Sequence, residues 1–498
     1  MARKKTRRSA QLSKAQQQRR AQVRIAITNA NDFLKMQQWL LPDDGIFANL
    51  KRHGNTGWLA RNLVWLALCW SWSECGNVTD AFTQAVECCQ LVGGSSALTT
   101  YQGFMGALVR WTGPFLSVLW PILHLRMQEI AGKMWRNRGW VLIAFDGSRS
   151  SAPRSESNEK ALCAPHYGHG QTAKYRKKKS KGMRRKMNKK NKPQPQEPQA
   201  WITMLWHMSL RLPWKWKLGP SNSSERAHVM EMVREDGFPE NTLFCGDAGF
   251  VGYPLWAQIA AKGMYFLVRV GANVNLLTLG TDCIIVRRKG LVLCWPLAAQ
   301  QKNLPPLRLR LVQVRIGRQR MWMLTNVLES RRLSDEMIVD FYKMRWGIEV
   351  EFRGLKQTLG CAKLRCRNSD RLLAELNWSI MAMAIAELFA LKEQLAPVLS
   401  KAAAKNPPPD PMKRSLANTM RALRHCLTHL KDVPKPGEDI RSGLRRAVTD
   451  SYTRKSSKRA RYRPTNPDKK PLGDPKIRKL NVKEKKKLKV LTSIKSVT

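Results

Sequence analysis

The sequence predicts a mixed α/β core that carries a β-rich insert, flanked by a helical N-terminal region and by basic, partly disordered tails. Three observations predict it. The runs GWVLIAFDGS (139–148) and NTLFCGDAGF (241–250) are short and apolar, and each stops at an aspartate, Asp146 or Asp247. Each reads as a buried strand with a carboxylate at its C-terminal end. The segment SDEMIVDFYKMRWGIEVEFRGLKQTLG (334–360) opens on Ser334 and Asp335 and contains no proline, so it reads as one amphipathic helix. Residues 266–325 alternate apolar and polar positions between glycines, as a small β meander does.

In chain order, residues 1–25 hold nine Lys/Arg and no acid, a flexible arm or short helix suited to phosphate contacts. Residues 26–135 read as mainly helical and Trp-rich, with 48–70 a pair of helices and no legible helix-turn-helix. The core region spans 136–395. Inside it, 171–199 is a basic loop; from 174 onward it holds twelve cations and one acid, then Pro and Gln. It has too few apolar residues to fold and suits nonspecific contact with a DNA backbone. WITMLWHMSLRLPWKWKLGP (201–220) reads as a strand pair, and SSERAHVMEMV (223–233) as a helix capped by Ser223. LLAELNWSIMAMAIAELFAL (372–391) is long enough to span a bilayer but contains Glu375, Asn377 and Glu387, which makes it a buried helix closing the core. NPPPDPM (406–412) breaks the chain, and the last 98 residues carry 28 Lys/Arg against 8 Asp/Glu. Apart from a helix near 413–431, the extension 396–498 reads as largely flexible.

Composition narrows the partners. There are 88 Lys+Arg against 36 Asp+Glu, a formal charge of +52. A charge of that size implies a polyanion, and nucleic acid is the usual one. Small packing proteins with such a charge are shorter and poorer in Trp than this chain, which has 18. The eleven cysteines include no CxxC pair, which argues against a zinc site or disulfide framework and for free thiols in a reducing cytoplasm. The basic N-terminus lacks an apolar run behind it, and NLVWLALCWSW (62–72) is too short to cross a bilayer. No membrane association is expected.

The chemistry concentrates in 334–360. At about 100° per residue, Arg345, Glu349 and Lys356 fall at roughly 300°, 340° and 320° from Tyr342. One narrow stripe thus carries an aromatic hydroxyl, two cations and a carboxylate. Met337, Phe341, Met344, Ile348, Phe352, Leu355 and Leu359 fill the neighbouring arc, at roughly 200–280°. The stripe therefore borders the buried face, where a cleft would be. Trp346 and Arg353 lie beside it at roughly 40° and 20°. Such a stripe also describes an ordinary amphipathic helix, and strand-end aspartates are often mere turn residues. The combination is what is uncommon. Two strand-end aspartates and one helix glutamate supply the oxygen donors that Mg²⁺ takes. Two such ions about 4 Å apart suit phosphoryl transfer.

The spacing Tyr342, Arg345, Glu349, Lys356 resembles the Y-(2)-R-(3)-E-(6)-K signature of a group of insertion-sequence transposases of the DDE class. Asp146 in FDGS resembles that family's first Asp, and Asp247 in GDAGF its second. The similarity covers roughly 135–395. It implies a ribonuclease H-like fold and cut-and-paste DNA transposition, commonly through a hairpin at the element end. It also implies two Mg²⁺ ions, for which Mn²⁺ can substitute, with Asp146 bridging both and Asp247 and Glu349 each binding one. The β-rich insert before the glutamate helix is a feature of the group, and the 102 residues between Asp247 and Glu349 need it. By the same resemblance, residues 26–135 would recognise the terminal inverted repeats. Double-stranded DNA, as element ends and target, would be the partner. A homodimer would form in the DNA complex, and the protein would be cytoplasmic, at the bacterial nucleoid. Arg345 would grip a phosphate with Tyr342 beside it, Lys356 and Arg353 would hold the neighbouring strand, and Trp346 would stack on an extrahelical base.

Some acidic and imidazole groups compete for these roles. Glu351 falls near 180°, across the apolar arc from Tyr342, and is set aside. Glu225, His166, His169 and His207 read as structural or solvated rather than as ligands. A ribonuclease H-like nuclease without transposition, and a noncatalytic DNA-binding protein derived from a transposase, remain as alternatives. The presence of all three carboxylates argues against the second.

Overall fold

The computed structural model describes residues 29–51, 56–92, 98–163, 197–278, 289–317, 319–396, 409–435, 437–449 and 473–495. The arm 1–25, most of the basic loop, His166 and His169 lie outside the described residues. The helices are α1 (Asn29–Leu40), α2 (Ala60–Trp72), α3 (Val78–Leu91), α4 (Tyr101–Ala131), α5 (Glu156–Leu162), α6 (Glu225–Glu235), α7 (Tyr253–Ala261), α8 (Leu297–Gln301), α9 (Asp335–Arg345), α10 (Gly347–Gln357), α11 (Ser369–Leu395), α12 (Leu416–Thr428), α13 (Ile440–Arg445) and α14 (Val482–Lys495). The strands are β1 (Val141–Ser151), β2 (Gln199–His207), β3 (Leu212–Gly219), β4 (Thr242–Gly246), β5 (Tyr265–Val270), β6 (Asn275–Thr278), β7 (Lys289–Cys294), β8 (Leu307–Ile316), β9 (Gln319–Thr325) and β10 (Lys476–Lys479).

The chain packs as two compact units that cut across the consecutive segments read from the sequence. One takes Met1–Gly132, Ser150–Ala200 and Arg353–Asp450; the other takes Lys133–Arg149, Trp201–Phe352 and Ser451–Thr498.

The first unit is helical. Its centre is α11, started by Asn368, whose side chain accepts from the N–H groups of Asp370 and Arg371. Among the described residues α11 is the one helix long and apolar enough to cross a membrane, but 89% of its most apolar window is buried in the protein. Helices α2, α4, α12 and α13 pack against it. A helix apolar on every side, such as α2, is what a core requires. Among the described residues of 48–70 there is this one helix rather than a pair; the turn before it, Gly45–Phe47, is a single 3₁₀ turn. Indole N–H groups are matched across the core: Trp72 donates to Ala382 O at 2.9 Å, and Trp378 to Thr112 Oγ1 at 2.9 Å. The carboxylates that interrupt the apolar run are used too. Glu375 accepts from Arg365 Nε at 2.8 Å and from the Cys366 N–H at 3.0 Å. Glu387 faces Arg414 Nε at 3.5 Å, both side chains almost wholly buried.

The second unit is built on a ten-stranded mixed sheet in the order β10-β6-β7-β8-β9-β5-β4-β1-β2-β3. β1, β4 and β5 are parallel neighbours. Residues 141–145 of β1 and all of β4 are buried, which explains why both segments read as continuous apolar runs. β2 and β3 form the antiparallel pair that the alternation in 201–220 predicts. The β-rich stretch is not a separate body. β9 pairs antiparallel with β5, and β8, β7 and β6 follow, so the meander extends the central sheet. Nor is the C-terminal extension wholly irregular: β10 adds a parallel edge strand to β6, and α14 follows it. Helix α6 is capped by Ser224, whose Oγ accepts from the Ala227 N–H, rather than by Ser223.

Breaking the buried ion pair of the first unit tests this packing. Arg414→Met should cost about 3–5 kcal/mol by leaving Glu387 charged and uncompensated. Arg414→Met with Glu387→Met should recover most of that loss, as measured by urea unfolding.

Candidate active site

Strand register brings the two aspartates together. β1 lies on β4 with Val141 opposite Thr242 and Ala144 opposite Cys245. Carried two residues further, the same offset sets Asp146 beside Asp247. Neighbouring strands are about 4.8 Å apart, so the two carboxylates emerge next to each other where the pairing ends. Asp146 is not at the end of its strand, however. β1 runs on to Ser151, and what stops short of Asp146 is the pairing with β4. The Asp146 Oδ1 accepts from the Gly147 N–H at 2.8 Å, and the Asp247 Oδ1 from the Gly249 N–H at 2.7 Å.

The third carboxylate arrives on two helices, not on the single helix that the sequence suggests. The break is at Trp346 between α9 and α10. Gly347 is pressed against the Trp206 ring so closely that a Cβ there would collide with it. The backbone tightens at that point: the Trp346 N–H donates to Lys343 O at 3.2 Å, and the Glu349 N–H to Trp346 O at 3.1 Å. Trp346 keeps right-handed helical angles, so the helical phase survives the joint. Arg345 and Glu349 consequently still face each other.

Arg345 is the hub. Its Nη2 meets Glu349 Oε1 at 3.0 Å and its Nη1 meets Asp146 Oδ2 at 3.4 Å. The residue is only 7% exposed, and its Nε has no hydrogen-bond partner. The guanidinium lies 5.5 Å from the ring centre of the buried Tyr342, within cation–π range.

The electrostatics show how crowded the acids are. Burial pushes Asp146 up to about 6; the charges of Asp247 and Glu349 add to this, while the Gly147 N–H and Arg345 oppose it. Burial likewise pushes Glu225 up to about 7, and the next causes are the charges of Asp146 and Asp247. Burial acts to lower Arg345, but Tyr342, Asp146 and Glu349 outweigh it and hold its pKa above the ordinary value. Burial also raises the Tyr342 hydroxyl, which feels Arg345, Arg269 and Asp247.

The compact three-carboxylate centre expected from the sequence is not closed in this conformation. Among the described residues, no group of three His, Cys, Asp or Glu side chains stands close enough to hold one ion. The physical reason is Arg345, which reaches between Asp146 and Glu349 and supplies the positive charge there. The donors at Asp146, Asp247 and Glu349 are nevertheless carboxylate oxygens, the type that suits Mg²⁺ or Mn²⁺.

The remaining residues divide plainly. Trp346 is 55% exposed, so it is not a core tryptophan. Arg353 is exposed and Lys356 half-buried in α10, with burial lowering the Lys356 amine. Both belong to the first unit, whereas the acidic cluster is built by the second alone. Glu351 is buried. His207 accepts from the Leu210 N–H and lies against the Trp135 ring, a structural role. Sequence reasoning set Glu225 aside and missed Arg269. The signal for Arg269 was a lone cation inside the apolar strand YFLVRV. Glu225 had only its place at the start of a helix. A cavity of about 640 Å³, lined by Glu74, Arg365, Glu375, Arg421 and Arg424 among others, lies in the first unit and contains none of these acids.

Residues 141–385 match the family model of the transposase DDE domain, a span that includes Asp146, Asp247 and Glu349. Among solved structures, the chain is similar to the piggyBac transposase in its synaptic complex with hairpin DNA, determined by cryo-EM. The identity is 9%, with 87% of this chain and 86% of that chain covered and a TM-score of 0.38. No curated protein matches the chain.

Removing Arg345 tests the electrostatics. Arg345→Ala should cost about 3 kcal/mol at pH 8, because it leaves charged Asp146 and Glu349 in a buried site. A carboxyl with a raised folded pKa favours the fold when protonated, and that support is lost as pH rises through about 6 for Asp146. The penalty of Arg345→Ala should therefore shrink at pH 5, as read from denaturation curves at the two pH values.

Proposed function

We propose that this protein is a DNA transposase of the DDE class, in the group marked by the spacing of Tyr342, Arg345, Glu349 and Lys356, and that its central sheet is a ribonuclease H-like catalytic fold. The observation that carries this reading is that Arg345 bonds both Asp146 and Glu349, with Asp247 in register beside Asp146, inside the span that matches the transposase DDE domain. The net charge of +52 supports DNA as the partner.

Asp146, Asp247 and Glu349 would hold two Mg²⁺ ions, with Mn²⁺ able to substitute; bound there, such ions activate the attacking oxygen and relieve charge on the leaving one. Basic and aromatic side chains handle the DNA. Arg345 presents a fork suited to bidentate contact with a phosphate. Tyr342 and Arg269 stand beside it to position the same group. Trp346 offers an exposed ring on which an unpaired base can stack, as a hairpin route requires. Arg353 and Lys356 grip the neighbouring strand. The substrates are the terminal inverted repeats of the element and a target duplex, with a homodimer forming on DNA to cut both ends in one complex. The protein acts in the cytoplasm, at the nucleoid.

The test uses a linear duplex that carries the reading frame with its own genomic flanks. Purified protein should cut near both ends only with Mg²⁺ or Mn²⁺ present, and join the freed ends to a second DNA. Asp146→Asn should keep duplex binding and lose cleavage. Equal cleavage by Asp146→Asn would sink the reading, and cleavage without joining would reduce it to a nuclease.

A further inference from the structure

We propose that the C-terminal segment 473–495 is a separate nucleic-acid contact surface, a ledge of lysines that holds the phosphate backbone of duplex DNA whatever its sequence. This does not depend on the catalytic reading of Asp146, Asp247 and Glu349.

The segment is folded, and it is folded onto a body of its own sign. β10 pairs in parallel with β6 from Lys476 to Lys479. The Lys476 N–H donates to Val274 O at 3.1 Å, and the Leu480 N–H to Thr278 O at 3.2 Å. From α14, Lys487 Nζ donates to Gln300 O at 2.5 Å. The stretch that receives these bonds, 266–325, holds ten Lys/Arg and one acid, Asp282, which lies outside the described residues. The segment adds nine Lys/Arg and two acids of its own. Gathering charge of one sign costs stability, and a polyanion that neutralises it is the partner the arrangement fits.

Both acids of the segment are engaged with their surroundings. Asp474 Oδ1 accepts from Trp322 Nε1 at 2.7 Å. Glu484 is buried and accepts from the two terminal nitrogens of Arg478 at 2.8 and 2.6 Å and from Gln300 Nε2 at 3.2 Å. Lys476, Lys479, Lys483, Lys485, Lys486 and Lys489 stay exposed. On the α14 wheel Lys485, Lys489 and Lys486 share an arc of roughly 100°, with Glu484 roughly 100° to the other side of Lys485. The helix has no aromatic residue, and its Leu488 and Leu491 are half-buried, so it lacks the apolar face that a membrane-surface helix inserts. Lysines are point charges that meet phosphates, and α14 has none of the Arg, Asn or Gln side chains that read base edges. In the sheet, β10 stands six strand spacings from β4, roughly 29 Å. The ledge is therefore distinct from the acid site, and one duplex of about nine base pairs spans the interval.

Duplex binding by the full-length protein, followed by fluorescence anisotropy across a salt series, tests the assignment. The variant with Lys483, Lys485, Lys486 and Lys489 all changed to Gln should bind about tenfold or more weakly at about 100 mM salt. Its slope of log affinity against log salt should be shallower by about 2–4, because each phosphate contact contributes about 0.9. The loss should be the same on two unrelated duplexes of equal length. Thermal melting should match wild type, since the four side chains are exposed and Gln suits a helix as Lys does. Wild-type affinity and slope would overturn the ledge and leave the catalytic reading, which Asp146→Asn tests, untouched. A loss confined to one of the two sequences would overturn backbone recognition. Kept DNA affinity with lost binding to vesicles containing phosphatidylserine would assign the surface to a membrane and overturn the proposal. If the fourfold variant melts early, Lys476→Gln combined with Lys479→Gln carries the test, and a wild-type slope there overturns it.

Discussion

Carboxylate crowding where β1 leaves β4 is the constraint on which the second unit depends. Two parallel strands in matched register must deliver their side chains side by side. At a separation of about 5 Å and an effective dielectric near 20, two carboxylates repel by about 3 kcal/mol. Asp146, Asp247, Glu225 and Glu349 all contribute to this field. A fold that accumulates such repulsion has to offset it locally. Arg345 does so by bonding two of the acids from a buried position, and Tyr342 lies under its guanidinium.

The scaffold is organised to keep that arrangement. The apolar interiors of β1 and β4 bury both faces of the strands, so their register cannot slip without exposing the core. Helix α9 packs on β4 and β8, which fixes where Arg345 begins. The joint at Trp346 then sets where Glu349 ends up, and it depends on Gly347 meeting the Trp206 ring from β2. Strands far apart in sequence therefore control the relation between the arginine and the three acids.

Much of this was legible from short stretches of sequence. Asp146 and Asp247 stood out because each ends an apolar run, and buried parallel strands leave that signature. Arg345 and Glu349 stood out because a four-residue spacing on a helix gives them one face. What could not be read depended on contacts between distant residues. The break at Trp346 requires knowing that Trp206 lies across from Gly347. That Gly147 has no room for a side chain requires knowing that α6 starts against it, some eighty residues later along the chain. The continuation of β1 to Ser151 reflects its neighbours in the sheet rather than its own composition, which turns polar after Phe145. The edge strand β10 was hidden because a basic, Pro-containing tail resembles a solvated one until β6 is there to pair with it.

Charge statistics sharpen the significance of the cluster. With 88 cations for 36 acids, a carboxylate in this chain has an abundant choice of partners, and the buried ones use it. Glu375 is matched by Arg365, Glu387 by Arg414, and Glu393 by Arg441. Where β1 parts from β4, by contrast, Asp146 and Glu349 share the single guanidinium of Arg345. Placing them there costs stability that many available cations could have relieved, and a fold shaped for stability alone would have distributed the pairs evenly. On the proposed reading, the imbalance leaves room for positive charge from bound ions, and those ions and a polyanion drawn by the basic chain would each supply charge that the other lacks.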